Sequence, residues 1–190
     1  RRALDYLEGE LKNTTPPAQI QWQPVWSASQ AFSVKILAEY GRNQDSNITR
    51  LIGLADRLPV FALSYLADAI AATNRRGARY DDVVRRITNA ARVEGDQAHV
   101  EEANDDALAW VWSSSARSSA LVLDGMVRRG DDPVFVQRLV RWLLAARRNG
   151  RWANTQENAM ALESLVAYYR RFEADVPDMT ATVAIAAKPV

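Results

Sequence analysis

The sequence predicts an all-α fold of helical hairpins that ends in one β-strand. Three observations support this prediction. Apolar residues recur at helical spacing through most of the 190 residues, glycines and prolines punctuate the helical runs, and the period changes to two after Phe172. We therefore expect a helical domain at residues 1–175 and, at residues 176–190, a strand that enters a neighbouring β-rich domain.

The composition is that of a globular protein. Hydrophobic residues make up 48% of the chain, charged residues 25%, and the formal net charge is +1, which argues against a nucleic-acid-binding protein. The chain has no cysteine, so it has no disulfide, thiolate nucleophile or cysteine-based zinc site. Its first residues already form a helical pattern and no signal peptide precedes them, so we expect a piece cut from a longer protein.

The first half of the chain is predicted to be helical, with one break. Prolines interrupt Asn13–Pro24, Gly41 ends the second helix, Ser46 caps the third and Pro59 opens the fourth. The predicted helices are a short one around Leu4–Leu11, then Trp26–Tyr40, Ser46–Leu58, Pro59 to about Asn74, and Tyr80–Val93.

The second half begins with a segment of another kind. Glu94–Ser115 is acidic at first, lacks periodicity and predicts a long connection. Helices follow at Ala116–Gly130, at Asp131–Gly150 and from Thr155 onward. The second of these has Asp132 as its predicted cap, proline at the next position and basic residues in the last turn. Alternation from Met179 to Ile185 predicts the final strand.

Four of the predicted helices share one layout: a small polar start, aliphatic residues on one face, and a basic or glycine end. They are Ser27–Arg42, Pro59–Arg75, Ala116–Gly130 and Thr155–Arg170. Their small residues suit close helix contacts, which predicts an inner layer of repeating helices covered by more amphipathic ones. This pattern fits an α/α toroid or a short α-solenoid.

The residues of this repeat resemble a known family. The runs 116–129, 135–169 and 177–185 resemble the thioester-containing domain of the α2-macroglobulin family, most closely in its bacterial members. The most specific positions are Gly150, Trp152, Thr155 and Gln156, in the "G-x-W-x-x-T-Q" segment that opens the last toroid helix of the family. The resemblance implies a partial α/α toroid.

The resemblance also implies a function for a longer protein. That protein would be a protease trap of the periplasm or the extracellular space, soluble or membrane-anchored, whose partners are proteases. In this family an internal Cys–Gln thioester acylates the attacker. Because this chain has no cysteine, the thioester lies upstream of Arg1 or is missing from this member. The chain itself would be structural, would contact adjacent domains of the longer protein, and would be neither an enzyme nor a cofactor-binding protein.

Thr155, Gln156 and Glu157 invite a chemical interpretation. They could be read as a thioester remnant or a catalytic Gln/Glu pair. The structural interpretation is a helix start, in which Thr155 or Asn154 accepts a backbone N–H, Glu157 lies near the positive helix end and Trp152 is an anchor. We prefer the helix start, and we expect these positions to be structural.

His99 is the only histidine. Beside Glu101 or Glu102 it could transfer protons. The default interpretation, which we prefer, is a histidine in a surface loop.

Three aspartate pairs raise a second hypothesis, a magnesium-dependent isoprenoid-type toroid enzyme. The pairs are Asp81-Asp82, Asp105-Asp106 and Asp131-Asp132. Two pairs lie at predicted helix starts, where aspartate acts as a cap, and none belongs to a DDxxD spacing. The loop at residues 94–106 lacks the spacing of an EF-hand. We therefore expect no metal site. A helical-repeat protein-binding module is a third hypothesis, and we expect some self-association through exposed apolar helix edges.

Overall fold

The helical periodicity of the sequence produces a mostly helical chain, which confirms the predicted fold class. The computed structural model describes residues 1–73, 76–102, 108, 113–175, 184–185 and 188–189. The helices with described bounds are α1 Arg2–Glu10, α2 Gln23–Glu39, α3 Asp45–Ile52, α4 Val60–Ala72, α5 Ala78–Asn89, α6 Ser115–Arg129, α7 Pro133–Ala145 and α8 Thr155–Phe172. The strands are β1 Ala91–Glu94, β2 Gln97–Val100, β3 Ala184–Ile185 and β4 Lys188–Pro189. None of the described helices is long and apolar enough to cross a membrane.

Four helices, α2, α4, α6 and α8, form an inner row. Each packs against the next one in chain order. Their contact faces are rich in small residues that are fully buried, such as Ala31, Ala67, Ser119 and Ala161. Small side chains let helix backbones approach closely, so the predicted inner layer of repeating helices is present in the structure.

The four inner helices run in the same direction. Val25 and Phe61, near the starts of α2 and α4, line one cleft. Ala116 and Thr155, at the starts of α6 and α8, line another. At the opposite end Arg128 of α6 and Arg170 of α8 border a shared groove. The helix starts therefore lie at one end of the row and the helix ends at the other.

The helices between the inner ones return the chain along the outside of the row. Helix α3 packs on α2 and α4, α5 on α4, and α7 on α6. Each buries only one face, through Leu51 in α3, Ile87 in α5 and Leu139 in α7. One-sided burial is what an amphipathic helix requires, and it produces the predicted hairpins. Closure of the hairpins into a toroid stays a prediction.

Several predicted helix boundaries were wrong. Helix α3 begins at Asp45 after Gln44, so Ser46 is not its cap, and it ends at Ile52. Helix α5 begins at Ala78 and ends at Asn89, before the predicted end at Val93. Helix α7 ends at Ala145, so the arginines before Gly150 lie beyond its last turn.

The segment predicted as a connection from Glu94 to Ser115 contains a β-strand. Strands β1 and β2 form an antiparallel hairpin with Glu94 opposite Gln97. The two-residue turn places Gly95 at φ +60°, a conformation that glycine adopts without strain. Strand β2 packs against α7 and α6, so the hairpin is part of the fold.

The C-terminal strand is described only in part. The predicted domain boundary at Val176–Asp178 and most of the strand predicted from Met179 lie outside the described residues. Strand β3 pairs antiparallel with β4, with Ala184 opposite Pro189. The described end of the chain is therefore a strand pair, whereas the sequence predicted one strand.

Candidate functional site: the loop before the last helix

Gly150 lies in a tight turn between α7 and α8. Arg148 and Arg151 form a backbone bridge across it, with N–O distances of 2.9 and 3.2 Å. Asn149 and Gly150 have φ values of 53° and 78°. Two consecutive positive φ values define a type I′ turn, for which Asn-Gly is the preferred pair. The glycine of the family segment thus has a conformational role.

Trp152 anchors the loop in the core. Its side chain is 5% exposed, and its indole Nε1 donates a hydrogen bond to the carbonyl of Leu143, 3.0 Å away. Its backbone N–H and C=O are both bonded to the amide side chain of Asn158, at 3.2 and 2.9 Å. Burial together with three satisfied polar groups fixes the entry of the chain into α8.

A reciprocal cap begins helix α8. The Oδ1 of Asn154 accepts the backbone N–H of Glu157 at 3.0 Å, and the Glu157 carboxylate accepts the backbone N–H of Ala153 at 2.9 Å. The arrangement is a variant of the capping box in which the carboxylate bonds the residue before the cap, and the carboxylate lies at the positive helix end. The cap is therefore Asn154. Thr155 and Gln156 occupy the first helical positions and are exposed.

The loop borders an open cavity of about 910 Å³. Its lining includes Arg148, Arg151, Asn154 and Ala116. Glu157, the carboxylate of this cavity, is committed to the cap. Among the described residues, no general base is hydrogen-bonded to the side chain of Thr155 or Gln156. The arrangement stabilises the start of α8.

The structure contradicts the surface-loop interpretation of His99. The residue lies in strand β2, is 8% exposed, and its ring stacks on Trp142 with ring centroids 4.4 Å apart and planes at 12°. Its Nε2 lies 3.1 Å from Oε1 of Glu101. The hydrogen bond from His99 and the charge of Arg92 hold the pKa of Glu101 below its usual value. The histidine fastens the hairpin to α7.

Glu102 has a separate role. Its carboxylate accepts the backbone N–H groups of Val60 and Phe61, at 2.8 and 3.0 Å, and so caps α4, whose N-cap Pro59 provides no side-chain cap. Burial raises the pKa of Glu102, and the two backbone hydrogen bonds oppose that rise. A residue 42 positions from Val60 in the sequence thus completes the helix start.

In the described aspartate pairs, Asp82, Asp131 and Asp132 bond protein partners. Asp132 caps α7 by accepting the backbone N–H of Val134 at 2.9 Å, as predicted. Asp82 bonds Arg86 within α5, in the helix and not at its cap. Asp105-Asp106 lies outside the described residues. Among the residues that the structure describes, no group of three or more acidic or histidine side chains is arranged to hold a metal ion.

Asp131 belongs to a buried charge network that sequence reasoning missed. It lies 2.9 Å from Arg129 and accepts a hydrogen bond from Tyr80. Arg129 also pairs with Asp68, which lies 3.1 Å from Lys35. Burial and the hydrogen bond to Asp131 raise the pKa of Tyr80 to about 12. Burial alone would lower the pKa of Arg129, but the charges of Asp68 and Asp131 outweigh it and raise the pKa. Arg129 therefore stays charged in this network, and Tyr80 keeps its proton.

Comparisons with known proteins agree with the geometry of the helical row. No family model matches the chain. An α2-macroglobulin homolog from Nostoc sp. is 35% identical over 82 residues, which is 42% of this chain and 4% of that protein.

Crystal structures of bacterial α2-macroglobulins share the fold. The Salmonella protein reacted with methylamine superposes with a TM-score of 0.70 at 18% identity, over 87% of this chain and 10% of its own. The native Escherichia coli protein, in a structure from domain MG7 to the C-terminus, superposes with a TM-score of 0.69 at 16% identity, over 90% of this chain and 26% of its own. Sequence and fold together confirm that this chain resembles the bacterial α2-macroglobulins, of which it spans only a small part.

Proposed function

We propose that this chain is the C-terminal portion of a thioester-type α/α toroid in an α2-macroglobulin-like protease inhibitor. The observation that carries the proposal is the agreement of two likenesses: part of the sequence resembles the Nostoc homolog, and most of the chain superposes on two bacterial members. In that setting the chain is a structural element that contacts the neighbouring domains of a longer protein.

The site supports a structural role. The Trp152 indole bonds the backbone of α7, and the side chains of Asn154 and Glu157 bond backbone N–H groups at the start of α8. These polar groups are therefore used to hold α8 in place. With no cysteine, the chain cannot itself form a thioester. We therefore assign it no enzymatic activity of its own, and we assign protease binding to the longer protein.

The Salmonella relative is described as reacted with methylamine. The corresponding proposal here is a thioester in a part of the protein outside this chain, in a protein of the periplasm or the extracellular space. A member without a thioester is the other form of the same proposal. The two forms differ in one measurable property, which is the covalent uptake of methylamine.

The test uses the full-length protein that contains this chain. The protein is mixed with a panel of endopeptidases, and the hydrolysis of a large protein substrate is compared with that of a small peptide substrate. A trap is expected to suppress hydrolysis of the large substrate and to spare the small one, because a small peptide can still reach the active site of an enclosed protease and a large protein cannot. A matched sample cleaved beforehand is the control and should no longer inhibit.

Two results have separate meanings. Mass spectrometry after methylamine treatment decides whether a thioester is present, and either answer is compatible with the trap. If the protein lowers the hydrolysis rates of the two substrates by the same factor, or lowers neither, with every protease of the panel, the proposal is wrong.

A further inference from the structure

A cleft of about 300 Å³ lies near the starts of three inner helices. Val25 and Phe32 of α2 form one wall, Phe61 and Tyr65 of α4 form the opposite wall, and Arg117 of α6 closes one side. The cleft is separate from the loop that carries Trp152, and the proposed inhibitor function does not use it.

Three aromatic rings make the cleft apolar. Phe32 and Tyr65 contact edge to face with centroids 5.5 Å apart, and Phe61 and Tyr65 do so at 5.9 Å. Phe32 is 44% exposed. An exposed aromatic ring beside two others offers an apolar occupant area that would leave water on binding.

Arg117 gives the cleft a charge that has no direct ion-pair partner among the described residues. Its guanidinium carbon lies 5.0 Å from the centroid of the Phe61 ring, and its Nε and Nη1 are buried without a hydrogen-bond partner. The charge of Arg117 also acts on Glu102. However, the Glu102 oxygens accept the backbone N–H groups at the start of α4. Because a buried guanidinium N–H without an acceptor is costly, this side chain is suited to donate hydrogen bonds to an anion.

We propose that this cleft binds a small organic carboxylate with an apolar body. The carboxylate pairs with Arg117, and the aryl or short alkyl body packs on Phe32, Phe61 and Tyr65. A carboxylate matches the fork of guanidinium donors, and the adjacent first turn of α6 adds partial positive charge. The cavity volume lies at the lower end of the range for ligand pockets, which suits a single small ring or chain.

The test is isothermal titration calorimetry with 4-phenylbutyrate and its neutral amide, 4-phenylbutanamide, at low ionic strength. We expect the amide to bind at least about tenfold more weakly than the carboxylate, because it lacks the charge that Arg117 recognises. Arg117→Gln should weaken 4-phenylbutyrate binding by about the same factor. Arg128→Gln is the matched control on the same helix, since Arg128 lies outside the cleft and pairs with Asp124, and it should leave the affinity unchanged.

A second variant keeps the proposal testable if Arg117→Gln fails to fold by circular dichroism. Phe32→Ala removes a half-exposed wall and should weaken binding by about fivefold or more while the chain stays folded. The proposal is overturned if the amide binds as well as the carboxylate, or if the folded cleft variants bind like the wild type. It is also overturned if 4-phenylbutyrate gives no binding heat at about 10 mM, where a ligand of this size should be detectable.

Discussion

Lys35 and Asp68 form an ion pair of 3.1 Å between α2 and α4, and each side chain is only 8% exposed. Asp68 also pairs with Arg129 of α6, so one carboxylate joins three consecutive inner helices. Arg129 continues to Asp131, to which Tyr80 of α5 donates a hydrogen bond. The two cations and two carboxylates balance, which is the condition under which charges are tolerated in a helix core.

Removing the shared carboxylate should destabilise the fold. Asp68→Asn removes the carboxylate that Lys35 and Arg129 share, which we expect to cost about 3–5 kcal/mol of unfolding free energy. Among the described residues, Lys35 keeps only the exposed Glu39, 3.7 Å away, and Arg129 keeps Asp131. Urea unfolding followed by circular dichroism measures this change. Asp56→Asn is the control: Asp56 pairs with Arg86 but is 87% exposed, so its loss should have little effect. Equal stability of the two variants would contradict a structural role for the network.

Gly125 should tolerate no side chain, because the network passes directly beside it. A Cβ at this position would lie 2.5 Å from Arg129 Nη1 and 2.5 Å from Ser64 Oγ. Gly125→Ala is therefore expected to destabilise the fold by about 1–3 kcal/mol, although alanine is the better helix former. Gly9→Ala in α1 is the control, since nothing lies within 4 Å of that Cβ, and it should be neutral or stabilising. Thermal unfolding of both variants distinguishes crowding from helix propensity.

The cap of α8 can be assigned by two adjacent substitutions. Asn154→Ala removes the acceptor of the Glu157 N–H and should cost about 1 kcal/mol of stability. Thr155→Ala changes an exposed first-turn residue whose side chain has no hydrogen bond to any described residue, and it should change stability little. If chemical denaturation shows a larger loss of stability for Thr155→Ala than for Asn154→Ala, Thr155 is the cap.

The sequence was sufficient to predict the inner helices, since their periodicity and end residues are local signals. It could not predict the pairing of Lys35, Asp68 and Arg129. Asp68 and Arg129 are 61 positions apart, and helical periodicity does not say which charged residue lies against a neighbouring helix. Such pairing depends on how the helices pack.

The β1–β2 hairpin is a different kind of failure, because a local signal was present. Gly95-Asp96 is a two-residue turn pair, but the flanking strands have only four residues each and lie beside an acidic stretch. The environment of His99 was missed for the same reason, since its stacking on Trp142 requires strand β2 to lie on α7. The choice between Asn154 and Thr155 as the cap also needed coordinates.

Glu102 should make stability fall as pH rises. Its pKa is raised in the folded chain by burial, so the folded state binds more protons than the unfolded one between the ordinary and the raised value. Its contribution to the free energy of unfolding is present below the ordinary glutamate pKa and is lost as pH rises through the raised value. Glu102→Gln should remove this pH dependence. Urea unfolding of the variant and the wild type, at pH values between the ordinary and the raised pKa of Glu102, measures the difference in free energy of unfolding. A difference that does not depend on pH would contradict the assignment.

Helix α8 exposes an apolar stripe that should make the isolated chain associate with itself. Leu162, Val166 and Tyr169 are 56%, 45% and 54% exposed and recur at helical spacing on one face. An apolar stripe of this kind is a contact surface when nothing covers it, so sedimentation velocity should show association that increases with concentration. Val166→Glu should reduce the association. Val134→Glu, which changes another exposed valine on α7, is the matched control and should not. A strict monomer at high concentration, or the same association in both variants, would show that this stripe is not the contact.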